Sequence, residues 1–267
     1  TDGGYFMRRI KSCINYTGGK YRLLKQILPL FPSKIDTFEK AKKSLNSDAN
    51  FRMPVVISPD SDFLKVEYTS DPYNRIVIYD AVPDTDFLCF TNALESLFYH
   101  EIYSAIAQSK MSKANKFIQK TVGGDKYTPV SLVNLPFSFV EGLFYVEDAA
   151  DGCGRINDGY FLQILSQAKY EGKFPSWIDI AAVSDNLSFS ELPVAAGSAF
   201  TAFLINHYGI EKYSELWNEC GKLHLYFTAG IFKKVYGKKL TDLWKEFEAS
   251  VPLPKDLEKL KQFEQVT

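Results

Sequence analysis

The residues with the clearest chemical potential lie between Leu97 and Ile106, where the sequence reads LFYHEIYSAI. A catalytic zinc ion needs protein ligands and an open position for water, and two histidines one helical turn apart supply two ligands on one face. The glutamate beside the first histidine then acts as general base on the zinc-bound water. Here His100 and Glu101 match the first two positions of this HExxH motif, but Ser104 stands where the second histidine belongs.

The HEIYS stretch allows two interpretations. A His-Glu pair arises by chance in many helices, so an ordinary place at the edge of a helical core is the simpler one. The other is a zinc helix that has lost one ligand, because a serine hydroxyl is a poor zinc ligand compared with imidazole. His207 and His224 are the two remaining histidines of the chain, and nothing in their spacing makes either a replacement. We therefore expect zinc to be weakly bound or absent.

The elements that must position these residues follow from hydrophobic periodicity. Short β-branched and aromatic runs bounded by Pro, Asp and Asn predict strands at 54–58, 63–68 and 75–80. Before them, the sequence predicts a short helix at 21–30 and a polar linker at 39–50. Helical periodicity dominates beyond Phe87 and predicts helices at 92–110, 112–120, 136–149, 158–170, 195–208, 210–221, 228–236 and 240–250. The predicted fold class is α+β, with a small N-terminal β-sheet followed by a mainly helical body.

Composition sets outer limits on the class of protein. The chain has 267 residues, of which 46% are hydrophobic, so it is long enough to bury one large core or two small ones. A net charge of −1 provides no strong field for nucleic acid or an anionic membrane, and neither is an expected partner. The four cysteines form no C-x-x-C pair, and no apolar run approaches the roughly 20 residues that span a bilayer. The sequence assigns no compartment.

A second segment favours the zinc interpretation of the HEIYS stretch over the plain helical one. Residues 136–147 read PFSFVEGLFYVE, in which Glu141 precedes a glycine and an apolar helical run. Together the two segments resemble the gluzincin (peptidase MA-like) metallopeptidases, whose third zinc ligand is a glutamate in a later aromatic-x-x-Glu-Gly pattern. Ser138 stands at the aromatic position of that pattern here. Residues 197–217 and 232–251 are similar to two further helices of the group, so the resemblance covers about residues 51–252 in the family's order.

The gluzincin resemblance implies a site and a function. His100 and Glu141 would be zinc ligands, Glu101 would be the general base, and Tyr208 or His207 would steady the oxyanion. Because two protein ligands do not make a tight zinc site, the implied function is a zinc metallopeptidase homologue with impaired or lost catalysis, a pseudoenzyme. The alternative is a non-catalytic module that holds a peptide or protein partner.

Residues 11–38 carry a different resemblance. They read KSCINYTGGKYRLLKQILPLFPSKIDTF and are similar to the N-terminal signature of the Dam-like (D12 class) DNA adenine methyltransferases. This implies that Tyr16, Gly18, Gly19 and Lys20 contribute to binding S-adenosylmethionine. The resemblance ends with this segment, and the Asp-Pro-Pro-Tyr catalytic tetrad of the class is missing. A truncated methyltransferase fragment is therefore a second alternative, in which S-adenosylmethionine is not expected to bind.

The two resemblances predict a division of the chain into three parts. Residues 1–45 form the methyltransferase-like segment and linker, which we interpret as a fused fragment. Residues 46–252 form the gluzincin-like metallopeptidase domain, and residues 253–267 form a C-terminal tail.

Overall fold

The structure is a computed structural model that describes residues 36–50, 53–69, 74–81, 93–118, 121, 130–148, 157, 159–182, 192–223 and 227–254. The chain divides into two compact units, Thr1–Val130 and Ser131–Thr267. The described residues are mostly helical with one three-stranded sheet, so the predicted α+β fold class is confirmed. No helix among them is long and apolar enough to cross a membrane. The predicted helix at 21–30 lies outside the described residues.

The unit Thr1–Val130 contains the sheet. In chain order its described elements are α1 (Asp36–Ser44), β1 (Val55–Ser58), β2 (Lys65–Thr69), β3 (Arg75–Tyr79), α2 (Ala93–Gln108) and α3 (Lys113–Ile118). The strand order is β1-β3-β2, with β1 parallel and β2 antiparallel to the central strand β3. All three strands and the helix that carries HEIYS were predicted from the sequence, and the structure confirms them.

Helix α2 is held on the sheet by an apolar stripe. The buried centre of this contact consists of Val66, Ile76 and Ile78 on strands β2 and β3. The side chains that α2 packs against it are spaced for a single helical face: Leu94, Leu97, Phe98 and Ile102. Burial of such side chains stabilises a fold by about 1.5–3 kcal/mol each when complete, so this stripe anchors the helix.

The stretch 39–50 is not simply a linker, and this part of the sequence prediction is wrong. Helix α1 covers Asp36–Ser44, and Ala41 and Leu45 are fully buried one helical turn apart. Phe38, Ala41 and Leu45 fall at helical spacing on one face, but the lysine and serine content of the segment favoured a linker. The burial of Ala41 and Leu45 shows that α1 belongs to the packed part of its unit.

A buried lysine completes the end of α1. The Lys110 ammonium group donates hydrogen bonds to the carbonyl oxygens of Leu45 and Asn46, the latter at 3.3 Å. The last carbonyl groups of a helix have no partner inside the helix, and a cation is favourable at that end. Burial lowers the pKa of Lys110 to about 8, although the charge of Asp48 opposes this shift.

In the described residues of the unit Ser131–Thr267, all regular elements are helices. Its elements are α4 (Val130–Asn134, which begins one residue before the unit), α5 (Phe137–Asp148), α6 (Gly159–Tyr170), α7 (Trp177–Ala182), α8 (Leu192–Tyr208), α9 (Ile210–Cys220), α10 (Thr228–Tyr236) and α11 (Leu240–Ser250). The sequence predicted all of these except α4 and α7. Those two helices have five and six residues, too few to show a period of 3.6.

Aromatic side chains form the core of this unit. The Phe200 ring lies 4.8 Å from that of Trp244, 5.3 Å from that of Phe139 and 5.5 Å from that of Phe247, measured between centroids. The indole N–H of Trp244 donates to the Pro175 carbonyl oxygen at 2.9 Å, so the polar atom of this buried ring is satisfied. The cluster joins α5, α8 and α11.

Helices α5 and α8 approach each other through two glycines. A Cβ atom on Gly197 would lie 2.1 Å from the carbonyl oxygen of Ser138, and one on Gly142 would lie 2.2 Å from Thr201 Oγ1. Both distances are far below van der Waals contact, so neither position has room for a side chain. The glycines in the Glu-Gly and Gly-Ser stretches of the gluzincin resemblance therefore have a packing reason in this fold.

The close crossing predicts a sharp difference between two glycine substitutions. Gly197→Ala should lower the free energy of unfolding by about 2–3 kcal/mol, because the new methyl group overlaps backbone that cannot rotate away. The matched control Gly159→Ala, in α6, meets no atom within 4 Å and should be neutral or stabilising by up to about 1 kcal/mol. Urea unfolding followed by circular dichroism measures both. Equal stabilities of the two variants would contradict the close crossing.

Candidate functional site

The three HEIYS residues of interest lie on α2, as predicted. His100 and Glu101 are half-buried, whereas Ser104 is buried and accepts a hydrogen bond of 2.8 Å from Gln108 Nε2. The hydroxyl at the second ligand position therefore has a partner on its own helix, one turn further along. Position 104 is part of the packed interior of the unit.

Glu101 makes a specific contact with the sheet. Its Oε2 accepts a hydrogen bond of 2.7 Å from the backbone N–H of Tyr68 in β2. Among the described strands β2 lies at the edge of the sheet, so this N–H needs an acceptor other than a neighbouring strand. Hydrogen bonds from N–H groups to a carboxylate are stronger than neutral ones. Glu101 therefore attaches α2 to the edge strand.

A polar cavity opens beside the same strand. Its volume is about 320 Å³, and it lies among the turn after α1, strand β2, the segment before β3, the end of α2 and helix α3. At its wall the Tyr68 hydroxyl donates to Asn74 Oδ1 at 3.1 Å, and burial raises the pKa of Tyr68 to about 12. Sequence reasoning missed this cavity, because its walls come from five separate segments with no shared motif.

The predicted zinc ligands fall in different units. His100 belongs to Thr1–Val130, whereas Glu141 lies on α5 in Ser131–Thr267, half-buried and next to the tightly packed Gly142. Among the described residues, no group of three or more His, Cys, Asp or Glu side chains is placed to hold a metal ion. The assignment of His100 and Glu141 as zinc ligands stays a prediction.

The predicted oxyanion residues lie at the C-terminal end of α8. Nδ1 of His207, which is exposed, lies 3.0 Å from the Phe203 carbonyl oxygen. The Tyr208 hydroxyl donates to Glu246 at 2.9 Å and accepts from Lys238 at 3.1 Å. A separate hydrogen bond of 2.7 Å from Lys238 to the Glu246 carboxylate lowers the pKa of Glu246. Tyr208 is thus engaged in a surface network, and its role in stabilising an oxyanion stays a prediction.

The residues predicted for the methyl donor, Tyr16, Gly18, Gly19 and Lys20, lie outside the described residues. The same holds for His224.

Three known proteins share sequence with this chain. An uncharacterized protein of Treponema pallidum (strain Nichols) is 30% identical over 209 residues, which is 78% of this chain and 18% of that protein. Modification methylase StsI of Streptococcus sanguinis is 49% identical over 16% of this chain and 9% of its own length. Type II methyltransferase M.FokI of Planomicrobium okeanokoites is 46% identical over 22% of this chain and 9% of its own length. The chain therefore spans less than a fifth of each of these relatives.

The two methyltransferase matches support one of the two resemblances. A short part of this chain resembles DNA methyltransferases, as the sequence indicated. No protein-family model matches the chain, and no solved structure matches it. The gluzincin resemblance therefore stays a prediction.

The contact between Glu101 and Tyr68 predicts how two substitutions will differ. Glu101→Gln keeps an oxygen acceptor for the Tyr68 N–H and should cost less than about 1 kcal/mol of unfolding free energy. Glu101→Ala leaves that N–H without its acceptor and should cost about 1–3 kcal/mol. Urea unfolding of both variants and the parent measures the difference. If the alanine variant were as stable as the glutamine variant, Glu101 would have no structural role at the strand edge.

Proposed function

We propose that this protein is a gluzincin metallopeptidase homologue that has lost zinc-dependent catalysis and binds peptides without cleaving them. The observation that carries the proposal is the hydrogen bond of 2.7 Å from the Tyr68 N–H to Glu101 Oε2. It gives the residue at the general-base position a structural task. The buried hydrogen bond between Gln108 and Ser104 does the same for the position of the second histidine ligand.

The edge strand β2 supports the peptide-binding part of the proposal. An extended peptide can join the edge of a sheet through main-chain hydrogen bonds, with side-chain pockets adding specificity. The Tyr68 N–H is taken by Glu101 and is therefore not open to a peptide, but its direction shows which main-chain groups of β2 face away from β3. The alternation of an antiparallel ladder gives the Val66 main chain the same direction, so Val66 is the position at which a peptide would pair. A pairing position on β2 and a polar cavity therefore lie on one unit.

Measuring zinc content tests the assumption that the chain is a gluzincin homologue with one zinc ligand missing. The parent protein, purified without a histidine tag, should hold well under one zinc ion per chain by mass spectrometry. Ser104→His should raise zinc uptake to near one equivalent, because it completes the ligand set implied by the gluzincin resemblance, with an imidazole one turn beyond His100. Zinc should then also raise the melting temperature of the variant, since it binds the folded state.

The matched control for this experiment is Ser104→Ala, which removes the hydrogen bond with Gln108 but adds no ligand. Circular dichroism shows whether each variant is folded, since position 104 is buried. A folded Ser104→His protein that takes up no more zinc than Ser104→Ala would remove the gluzincin assignment. His100 and Glu101 would then be ordinary residues of a helix packed on a sheet.

A second candidate function is favoured by the matches to StsI and M.FokI. On that proposal the chain is a truncated fragment of an S-adenosylmethionine-dependent DNA adenine methyltransferase. Each match spans 9% of the methyltransferase, and this chain has no Asp-Pro-Pro-Tyr tetrad. The second candidate therefore accounts for a short segment of the chain and supplies no catalytic residues.

Calorimetry with S-adenosylmethionine separates the two candidates. We expect no binding heat at ligand concentrations up to about 1 mM, which corresponds to a binding free energy weaker than about −4 kcal/mol. The reason is that a methyltransferase-like match of 57 to 59 residues, in a chain without the Asp-Pro-Pro-Tyr tetrad, does not build a closed cofactor site. A dissociation constant in the micromolar range, lost in Lys20→Ala, would favour the methyltransferase candidate instead.

A further inference from the structure

The polar cavity beside β2 is lined by both regular elements and connecting segments. Tyr68 comes from β2, Gln108 from the last turn of α2 and Lys116 from α3, whereas Asn50 and Asn74 come from the segments after α1 and before β3. Its volume of about 320 Å³ falls at the lower end of the range for small-ligand pockets, roughly 300–1,000 Å³. The cavity is therefore suited to one small group of a ligand.

The lining favours a neutral group. Three carboxamide side chains, Asn50, Asn74 and Gln108, reach the cavity, and each carries both a hydrogen-bond donor and an acceptor. The two charged residues of the lining, Asp48 and Lys116, have opposite signs. A carboxylate or ammonium group entering the cavity would thus meet one attractive and one repulsive charge. A neutral group that both donates and accepts matches the lining better.

Two of the carboxamides are oriented by neighbours. Asn74 Oδ1 accepts the hydroxyl proton of Tyr68 at 3.1 Å, so its Nδ2 end remains to donate to a ligand. Gln108 Nε2 donates to Ser104 Oγ at 2.8 Å, so its Oε1 remains to accept. One donor and one acceptor held in this way are the complement of another carboxamide, which presents a carbonyl oxygen and an N–H group.

We propose that this cavity binds the carboxamide side chain of a glutamine or asparagine in a peptide ligand. The ligand carbonyl oxygen accepts from Asn74 Nδ2, and the ligand N–H donates to Gln108 Oε1. The inference rests on the proposed peptide-binding function, because β2, the strand along which the peptide lies, reaches the cavity at Tyr68. It adds the side-chain class that the peptide carries.

Three blocked tripeptides test the preference by calorimetry on the intact protein. They are Ac-Ala-Gln-Ala-NHMe and the matching peptides with glutamate or lysine at the centre. The glutamine peptide should bind about tenfold more tightly than the other two, since a charged group in the cavity meets one like charge and cannot both donate to and accept from the carboxamides. Asn74→Asp, which removes the donor with little change of shape, should weaken binding of the glutamine peptide by a similar factor. Asn218→Asp makes the same chemical change at an exposed position of α9 and should leave binding unchanged.

The outcomes separate this inference from the function on which it rests. Equal affinities for the three peptides, or unchanged binding by Asn74→Asp, would overturn the carboxamide site and leave peptide binding intact. If the tripeptides fail to bind while longer unstructured casein peptides do bind, the inference again fails alone. If neither tripeptides nor casein peptides bind, the proposed function fails together with the inference.

Discussion

The backbone N–H of Tyr68 lies on the edge strand of the described sheet and must find an acceptor, which the Glu101 carboxylate supplies at 2.7 Å. This bond and the apolar stripe of α2 together fix which face of the helix packs on the sheet and where along the strands it lies. The burial of Ser104 and the cavity at the end of α2 follow from the same position of the helix. Glu101, whose carboxylate stands at the position that activates water in a zinc peptidase, here bonds α2 to the edge strand.

Much of the fold could be predicted because its elements satisfy local rules. The runs at 54–58 and 75–80 are β-branched and apolar, and β1 and β3 occupy most of both. Helices α10 and α11 have the predicted bounds, since each combines a strong apolar period with a clear end. Helix α1 escaped prediction because its lysine-rich, polar composition favoured a linker, although Phe38, Ala41 and Leu45 fall at helical spacing. Short helices such as α7 are stabilised by tertiary packing, and a local sequence pattern carries no information on that packing.

For the candidate site, the sequence could predict only the features that lie within one helix. Spacing placed His100 and Ser104 on one face of α2, but the partner of Glu101 lies 33 residues away in sequence. The cavity likewise needs five segments that only folding brings together. At Gly142 and Gly197 the sequence showed a family-like pattern, and the structure supplies a physical reason for it in the crossing of α5 and α8. That packing reason holds whether or not the chain binds zinc.

Mass spectrometry of unstructured casein peptides incubated with the protein in excess zinc tests binding without cleavage most directly. The peptides that remain with the protein after gel filtration are eluted, and their termini are compared with those of the input. We predict that peptides are retained and that all of them keep their original termini, because Glu101 bonds to Tyr68 and no histidine stands at position 104. New termini that disappear on addition of a chelator, or a complete lack of retained peptide, would contradict the proposal.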